Sequence, residues 1–331
     1  MKNSGLRKLV VIGILVGVFL LFIQAYAQEQ QPRSLSSQMR QTTPGDDELP
    51  ELPPWETPSP LILPPSPTEP QPTPASTPPS QMMAKEYYAQ GLGYLDQKRY
   101  EEAVKVFQEA IRLQPDYENA YYGLGISYSW LKRFPESVET LQEAIRLKPD
   151  DAYAYKELAA SYSWMNRFED AVNASREAIH LKQDYPEAHL IMGSSLIFLK
   201  RYEEAIQSLQ IALRLKPDYA EAYYDLGIAY NWLRRFEESA DALLKAIQLK
   251  PTDAEAYYYL GVAYNWLKRF TESADAYKKA IQLNPQYLAA YYELGIVYLW
   301  LQDRTSALEQ YNILKNLDVE QANKLLDEIT K

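Results

Sequence analysis

Proline recurs at Pro115, Pro149, Pro217, Pro251 and Pro285, on a 34-residue grid whose one gap is filled by Gln183. Tryptophan keeps the same period at Trp130, Trp164, Trp232, Trp266 and Trp300, with Phe198 in its gap. Two residue types on one period require a structural unit that is repeated along the chain. With Ala84 as the first position, units begin at residues 84, 118, 152, 186, 220, 254 and 288, the seventh drifting after Tyr311.

Inside a unit the apolar residues follow helical spacing twice, as in Tyr223, Leu226, Gly227 and Tyr230, then Ser239, Leu243, Ala246 and Ile247. The pattern breaks at Arg234-Arg235-Phe236 and again near Pro251, so each unit reads as two helices joined by a short turn. Small residues recur where the two must approach: Gly91, Gly125, Gly193, Gly227, Gly261 and Gly295 on the first helix, Ala103, Ser137, Ala171, Ala205, Ser239, Ser273 and Ala307 on the second. Such residues allow short interaxial distances.

These markers resemble the tetratricopeptide repeat family. Tyr121, Leu124, Gly125, Tyr128, Ser137, Leu141, Ala144 and Pro149 match its pattern in one unit, and Tyr257, Leu260, Gly261, Tyr264, Ser273, Tyr277, Ala280 and Pro285 in another. Departures are Tyr for the common Trp at the fourth position, His189 there in the fourth unit, and Ala159 for Gly in the third. The resemblance implies an all-α fold, a right-handed superhelical α-solenoid of about seven helix-turn-helix repeats over residues 84–317. Residues 318–331 read as a C-terminal capping helix, with Asp318 as its cap and Gln321 three residues on.

The chain before the repeats has a different composition. Lys2, Arg7 and Lys8 precede an apolar run from Leu9 to Ile23 and then Ala25-Tyr26-Ala27, the order of a cleaved export signal over residues 1–27. The alternative is a retained membrane anchor over residues 9–27. Either way the expected location is outside the cytoplasm, periplasmic or extracellular. Residues 28–83 hold 15 of the 22 prolines, which removes amide donors and favours an extended linker. Leu61-Ile62-Leu63 stand out within it as a peptide that could dock in a groove, this chain's own included.

Chemistry finds little purchase. There is no Cys, which excludes disulfides, thiolate metal sites and thiol nucleophiles, and the net charge of -10 disfavours nucleic acid as a partner. His180 and His189 sit in scaffold positions, and the acidic pairs such as Glu237-Glu238 open second helices, where negative charge complements the macrodipole. The basic pairs, such as Lys132-Arg133, close first helices for the same reason. No metal spacing, phosphate loop or nucleophile–base pair is present, so no catalytic residue and no cofactor is assigned.

The resemblance places the concave surface at the second, fifth, ninth, twelfth and thirteenth positions of each first helix. The groove contacts it implies are Tyr88, Tyr122, Ser129, Trp130, Ser163, Trp164, Tyr224, Asn231, Trp232, Tyr258, Asn265, Trp266, Tyr292 and Trp300. The Lys, Asn and Arg set of carboxylate-clamping relatives is missing. Two readings of the Trp ladder stand, packing between repeats and contact with a ligand. The expected function is a non-enzymatic scaffold that binds a protein or extended peptide. The alternative is an envelope glycan-binding or export-accessory module in which the Trp and Tyr faces stack on sugars.

Overall fold

The computed structural model describes residues 79–331; the expected export signal and the expected linker up to residue 78 lie outside the described residues, while residues 79–83, expected to be linker, instead form the first turns of a helix that continues into the repeats. Among the described residues fifteen α-helices follow one another. The hairpins are α1 (Pro79–Asp96) with α2 (Tyr100–Leu113), α3 (Glu118–Trp130) with α4 (Phe134–Leu147), α5 (Ala152–Trp164) with α6 (Phe168–Leu181), and α7 (Pro186–Phe198) with α8 (Tyr202–Leu215). Then come α9 (Ala220–Trp232) with α10 (Phe236–Leu249), α11 (Ala254–Trp266) with α12 (Phe270–Leu283), α13 (Leu288–Trp300) with α14 (Arg304–Leu317), and the closing α15 (Val319–Thr330). Each second helix packs against its own first helix and the first helix of the next unit, so the hairpins form an all-α solenoid. The seventh hairpin is regular to Leu317 despite the drift in its sequence.

Each turn within a hairpin closes by a Schellman motif. In the second unit the Arg133 amide donates to the Tyr128 carbonyl at 2.8 Å and the Lys132 amide to the Ser129 carbonyl at 3.0 Å. The motif needs a left-handed residue, and Lys132 supplies it at φ 57°. Lys98, Asn166, Lys200, Arg234, Lys268 and Gln302 do the same in the other units, each without the steric relief of glycine. The residue that follows repays part of this cost. In five units the Arg guanidinium lies over a first-helix Tyr ring at 4.3–4.6 Å, as Arg269 does over Tyr264. The same Arg pairs with the acid three residues on, as in Arg269–Glu272 and Arg235–Glu238.

Between hairpins the chain leaves the helix in extended conformation, Lys148 at φ -136° and ψ 86° before Pro149. Proline imposes this on its predecessor. Lys182 adopts φ -140° and ψ 97° before Gln183, so the turn keeps its shape where the proline is missing.

The glycines meet large side chains, a refinement of the simple picture of small facing small. A Cβ on Gly125 would lie 2.6 Å from Leu141, one on Gly227 2.5 Å from Leu243, one on Gly261 2.6 Å from Tyr277. These partners sit sixteen positions later in the unit and are fully buried. The third unit inverts the pair, with Ala159 at the glycine position and Ser175 at the large one. The small residue of the second helix touches the same glycine: Ser137, Ser239 and Ser273 each donate to the glycine carbonyl at 2.8–2.9 Å. Ser137 also bonds Ser161 of the next unit at 2.9 Å. In the following unit Ala171 takes the Ser137 position, and Ser195, at the Ser161 position, has a buried hydroxyl without a hydrogen-bond partner.

At the C-terminal end, Asp318 accepts from the amides of Glu320 (2.9 Å) and Gln321 (3.1 Å) and so starts α15. Ala322, Leu325 and Ile329 are buried, Leu325 occupying the space above Gly295, while Glu320, Asn323, Lys324 and Asp327 face water. The helix is a lid with an apolar inner and a polar outer face.

Two substitutions test this packing by chemical denaturation. Gly227→Ala should lower stability by about 1–3 kcal/mol, because Leu243 is walled in and cannot retreat. Ala171→Ser should raise it by about 1 kcal/mol by giving Ser195 the partner that Ser161 has.

Candidate functional site

First helices touch the first helices of adjacent units. Side-chain bonds mark the shared face: the Tyr224 hydroxyl donates to Glu255 at 2.6 Å, Asn231 Nδ2 donates to the Tyr259 carbonyl at 3.2 Å, and Ser194 donates to Asp225. The fifth, ninth and twelfth positions of one first helix therefore meet the second and sixth of the next. This stripe, along which neighbouring first helices meet, is the inner wall; at its fifth position Tyr88 and Tyr258 also touch Phe107 and Tyr277 of their own second helices.

The wall is partly filled by its own residues. Tyr122 and Tyr258 are 7% and 6% exposed, and Ser129 and Ser163 are buried as well. Tyr258 is packed by Tyr259, Tyr277 and Tyr287 with ring centroids 4.9–5.7 Å away. Tyr88 is half-buried against Phe107 and Tyr117, and its hydroxyl is pushed up to about 12, first by burial and then by Tyr117 and Glu118. Tyr224, Asn231, Asn265 and Tyr292 stay partly open, so accessible wall concentrates in the last three units.

The tryptophans lie at the edge of the wall, beside the turns within hairpins. Each stacks in parallel on the aromatic that opens the second helix of the preceding unit: Trp130 on Tyr100, Trp164 on Phe134, Trp232 on Tyr202, Trp266 on Phe236 and Trp300 on Phe270, at 5.2–6.1 Å. Phe198 keeps the stack on Phe168 at 4.5 Å. One face of each of these five Trp rings is thus packing between repeats, worth roughly 0.5–1.5 kcal/mol beyond buried area. Exposure grows toward the C-terminus, to 38% for Trp266, over whose ring the Arg234 guanidinium lies at 5.5 Å, and 52% for Trp300. Sequence reasoning missed the stacking partners, although a signal was present. The first unit has Asp96 in place of Trp and no preceding repeat, and the seventh has Arg304 in place of the opening aromatic and no following repeat.

Charge on the wall is uneven. In the third unit Lys156 and Glu157, each 4% exposed, form a buried ion pair. In the fifth, Asp225 is 6% exposed and held by the Ser194 hydroxyl alone. Burial, with Glu221 and Glu255 adding to it against the opposing Ser194 bond, raises the Asp225 carboxyl to about 7. Desolvation likewise raises Glu255. His189 is 5% exposed, with Nδ1 3.3 Å from the Ser208 hydroxyl, and burial lowers its basicity. His180 is exposed late on α6. Among the described residues no group of three His, Asp or Glu has the arrangement of a metal site.

Asp225 makes stability depend on pH. Its folded-state pKa lies above the ordinary value of 3.8, so its contribution is complete below 3.8 and lost as pH rises to about 7. His189 acts oppositely, favouring the folded state above its ordinary value of 6.5. Comparison with Asp225→Asn isolates the carboxyl. The melting temperature of the native chain minus that of the variant should fall steadily between pH 5 and about pH 7, then level off.

The sequence matches the repeat described as "TPR repeat" over residues 91–129, 193–231 and 235–265, and "Tetratricopeptide repeat" over 118–151 and 254–287. No curated protein matches the chain in sequence. Among solved structures, PilF of Pseudomonas aeruginosa is 20% identical with a TM-score of 0.57, covering 64% of this chain and 97% of that one. A tetratricopeptide repeat protein from Parabacteroides merdae is 16% identical with a TM-score of 0.56, covering 76% and 100%. A chain of the APC/C hetero-tetramer Cut9–Hcn1 is 16% identical with a TM-score of 0.58, covering 76% and 54%. At these identities the likeness is one of fold. Period, Schellman turns, glycine packing and sequence matches agree, and the helical hairpins of this protein are tetratricopeptide repeats.

Proposed function

We propose that this protein is a non-enzymatic scaffold, exported from the cytoplasm, that holds another protein or an extended peptide against its inner wall. The supporting observation is the wall over the last three units, where Tyr224, Asn231, Asn265 and Tyr292 stay partly open. Tyr rings bury area at low entropic cost, and the Asn265 amide offers a donor and an acceptor to a peptide backbone. The rigid stack of hairpins presents these groups at fixed intervals. The Pro-rich stretch that precedes α1 serves in this reading as the tether that lets the solenoid stand off from an envelope surface.

The test is affinity capture with crosslinking from the native envelope, followed by mass spectrometry. Asn265→Ala with Tyr292→Ala should reduce recovery of the crosslinked partner about tenfold or more, the scale of losing one hot-spot contact, with helicity unchanged. The outward-facing pair Glu237→Gln and Asp241→Asn should leave it intact. Equal recovery with both pairs would remove the wall from consideration. A mature chain starting at Gln28 would support export, whereas one retaining Met1 and recovered from the cytoplasm would refute it.

A further inference from the structure

The fourth unit departs from the others on the side of its first helix that meets the second helices. The eleventh position is Tyr94, Tyr128, Tyr162, Tyr230, Tyr264 and Tyr298 in the other six units and Leu196 here. Tyr128, Tyr162, Tyr230 and Tyr264 are 7–8% exposed, and each lies under the Arg that follows its turn. Three of the hydroxyls also accept from a Gln of the preceding second helix: Tyr128 from Gln108 at 3.1 Å, Tyr162 from Gln142 at 2.9 Å and Tyr230 from Gln210 at 3.2 Å. A tyrosyl ring thus fills the seam between consecutive second helices and is fixed at its polar tip.

At the fourth unit this seam has lost two phenol rings. Leu196 replaces one, and His189 replaces the Tyr of the fourth position, whose counterpart Tyr291 donates to the Pro285 carbonyl at 3.2 Å. A cleft of about 360 Å³ lies there between α6 and α8, within the size range of small-molecule sites. Leu196 and His189, 2% and 5% exposed, form its floor, and the partly exposed Met192, Ile179 and Ile211 give it apolar walls. Arg176 borders it, at the position that Gln108, Gln142 and Gln210 hold in their units. Its guanidinium reaches Asn173 at 3.5 Å, too long for a strong bond, while the Glu204 carboxylate at the same cleft is held by Arg201 at 2.5 and 2.6 Å. Lys278 shows what a cation at the Arg176 position does when the ring is present: it lies over Tyr298 at 5.7 Å.

We propose that this cleft is a binding site for a tyrosine side chain carried by a partner polypeptide. The ring takes the place of the missing phenol, above Leu196 and against Met192, Ile179 and Ile211, and its hydroxyl oxygen accepts from Arg176. The other units supply the template for the occupant, since a tyrosyl ring with a donor at its hydroxyl fills the same seam there. An indole N–H or an ammonium would bring a donor to a guanidinium that has donors alone, and a plain phenyl ring would bring it no acceptor. The cleft shares no residue with the inner wall, so it stands or falls independently of the groove reading.

The test uses the full chain, isotope-labelled at its methionine methyl groups and followed by NMR, with Met192 as reporter in the cleft and Met83 of α1 as control. The probes are N-acetyl-tyrosinamide, N-acetyl-phenylalaninamide and p-cresol. The Met192 signal should move saturably with the tyrosine probe while the Met83 signal stays, and the phenylalanine probe should bind about tenfold more weakly, the scale of one hydrogen bond from a charged donor. Arg176→Ala, a change to an exposed side chain, should abolish that preference, and Arg176→Gln, the residue of three other units, should keep it. Leu196→Tyr fills the cleft from within; it should remove the Met192 response and raise the melting temperature by about 2–4 °C. Asn265→Ala with Tyr292→Ala should leave every one of these responses unchanged. Equal affinity for the tyrosine and phenylalanine probes would reduce the cleft to an apolar crevice and overturn the proposal. So would an unmoved Met192, or a Leu196→Tyr chain that still responds. Tighter binding of p-cresol than of N-acetyl-tyrosinamide would assign the cleft to a free phenol and refute the polypeptide source.

Discussion

The absence of a Cβ at one point in six of the seven first helices sets the distance at which these hairpins pack, and the larger features inherit that distance. Leu141, Leu209, Leu243 and Tyr277 each lie over a glycine in space that a methyl group would invade. Close approach in turn brings Ser137, Ser239 and Ser273 within reach of the glycine carbonyls. The third unit shows that the constraint is on the pair rather than on glycine itself. Ala159 gains a methyl group and the residue at the opposing register position shrinks to Ser175, so one volume change offsets the other.

A second interaction carries this local geometry from hairpin to hairpin. The aromatic stacks run from Tyr100–Trp130 to Phe270–Trp300, one for each junction between units. They pin the turn edge of the solenoid, while the bonds from Ser194, Tyr224 and Asn231 pin the inner wall. Two lines of contact along different edges of the same junction restrain rotation of one hairpin on the next, so the groups on the wall are held in place before any ligand arrives. That preorganisation lowers the entropic cost of recognition, a physical reason for a repeat scaffold to bind through its rigid face.

Period, helix pairing, the turns and the capping helix were legible in the residues, because each follows from short-range rules: apolar spacing, Pro at an exit, Asp at a helix start. Other features needed coordinates. The Trp ladder and the aromatic ladder at second-helix starts are both periodic, but only the fold reveals that they are offset by one unit and meet face to face. Sequence reasoning also treated the positions of the wall as equivalent. The structure separates them: Tyr122 and Tyr258 are consumed by packing, whereas Tyr224, Asn231, Asn265 and Tyr292 remain accessible in part. Neither Lys156 beside Glu157 nor Asp225 facing Ser194 announces itself along the chain, since burial is decided by neighbours 30 or so residues distant.

The sequence alone determined that this protein is a row of two-helix units, since a 34-residue recurrence of Pro, Gly and aromatic residues has one low-energy way to bury its apolar faces. The tertiary structure alone decided which aromatics hold the row together, which remain available in part, and which carboxylates are buried. The reason is range. Helix formation and turn geometry depend on residues a few positions apart, but solvent exposure and the electrostatic field of a wall depend on side chains brought together from several units at once.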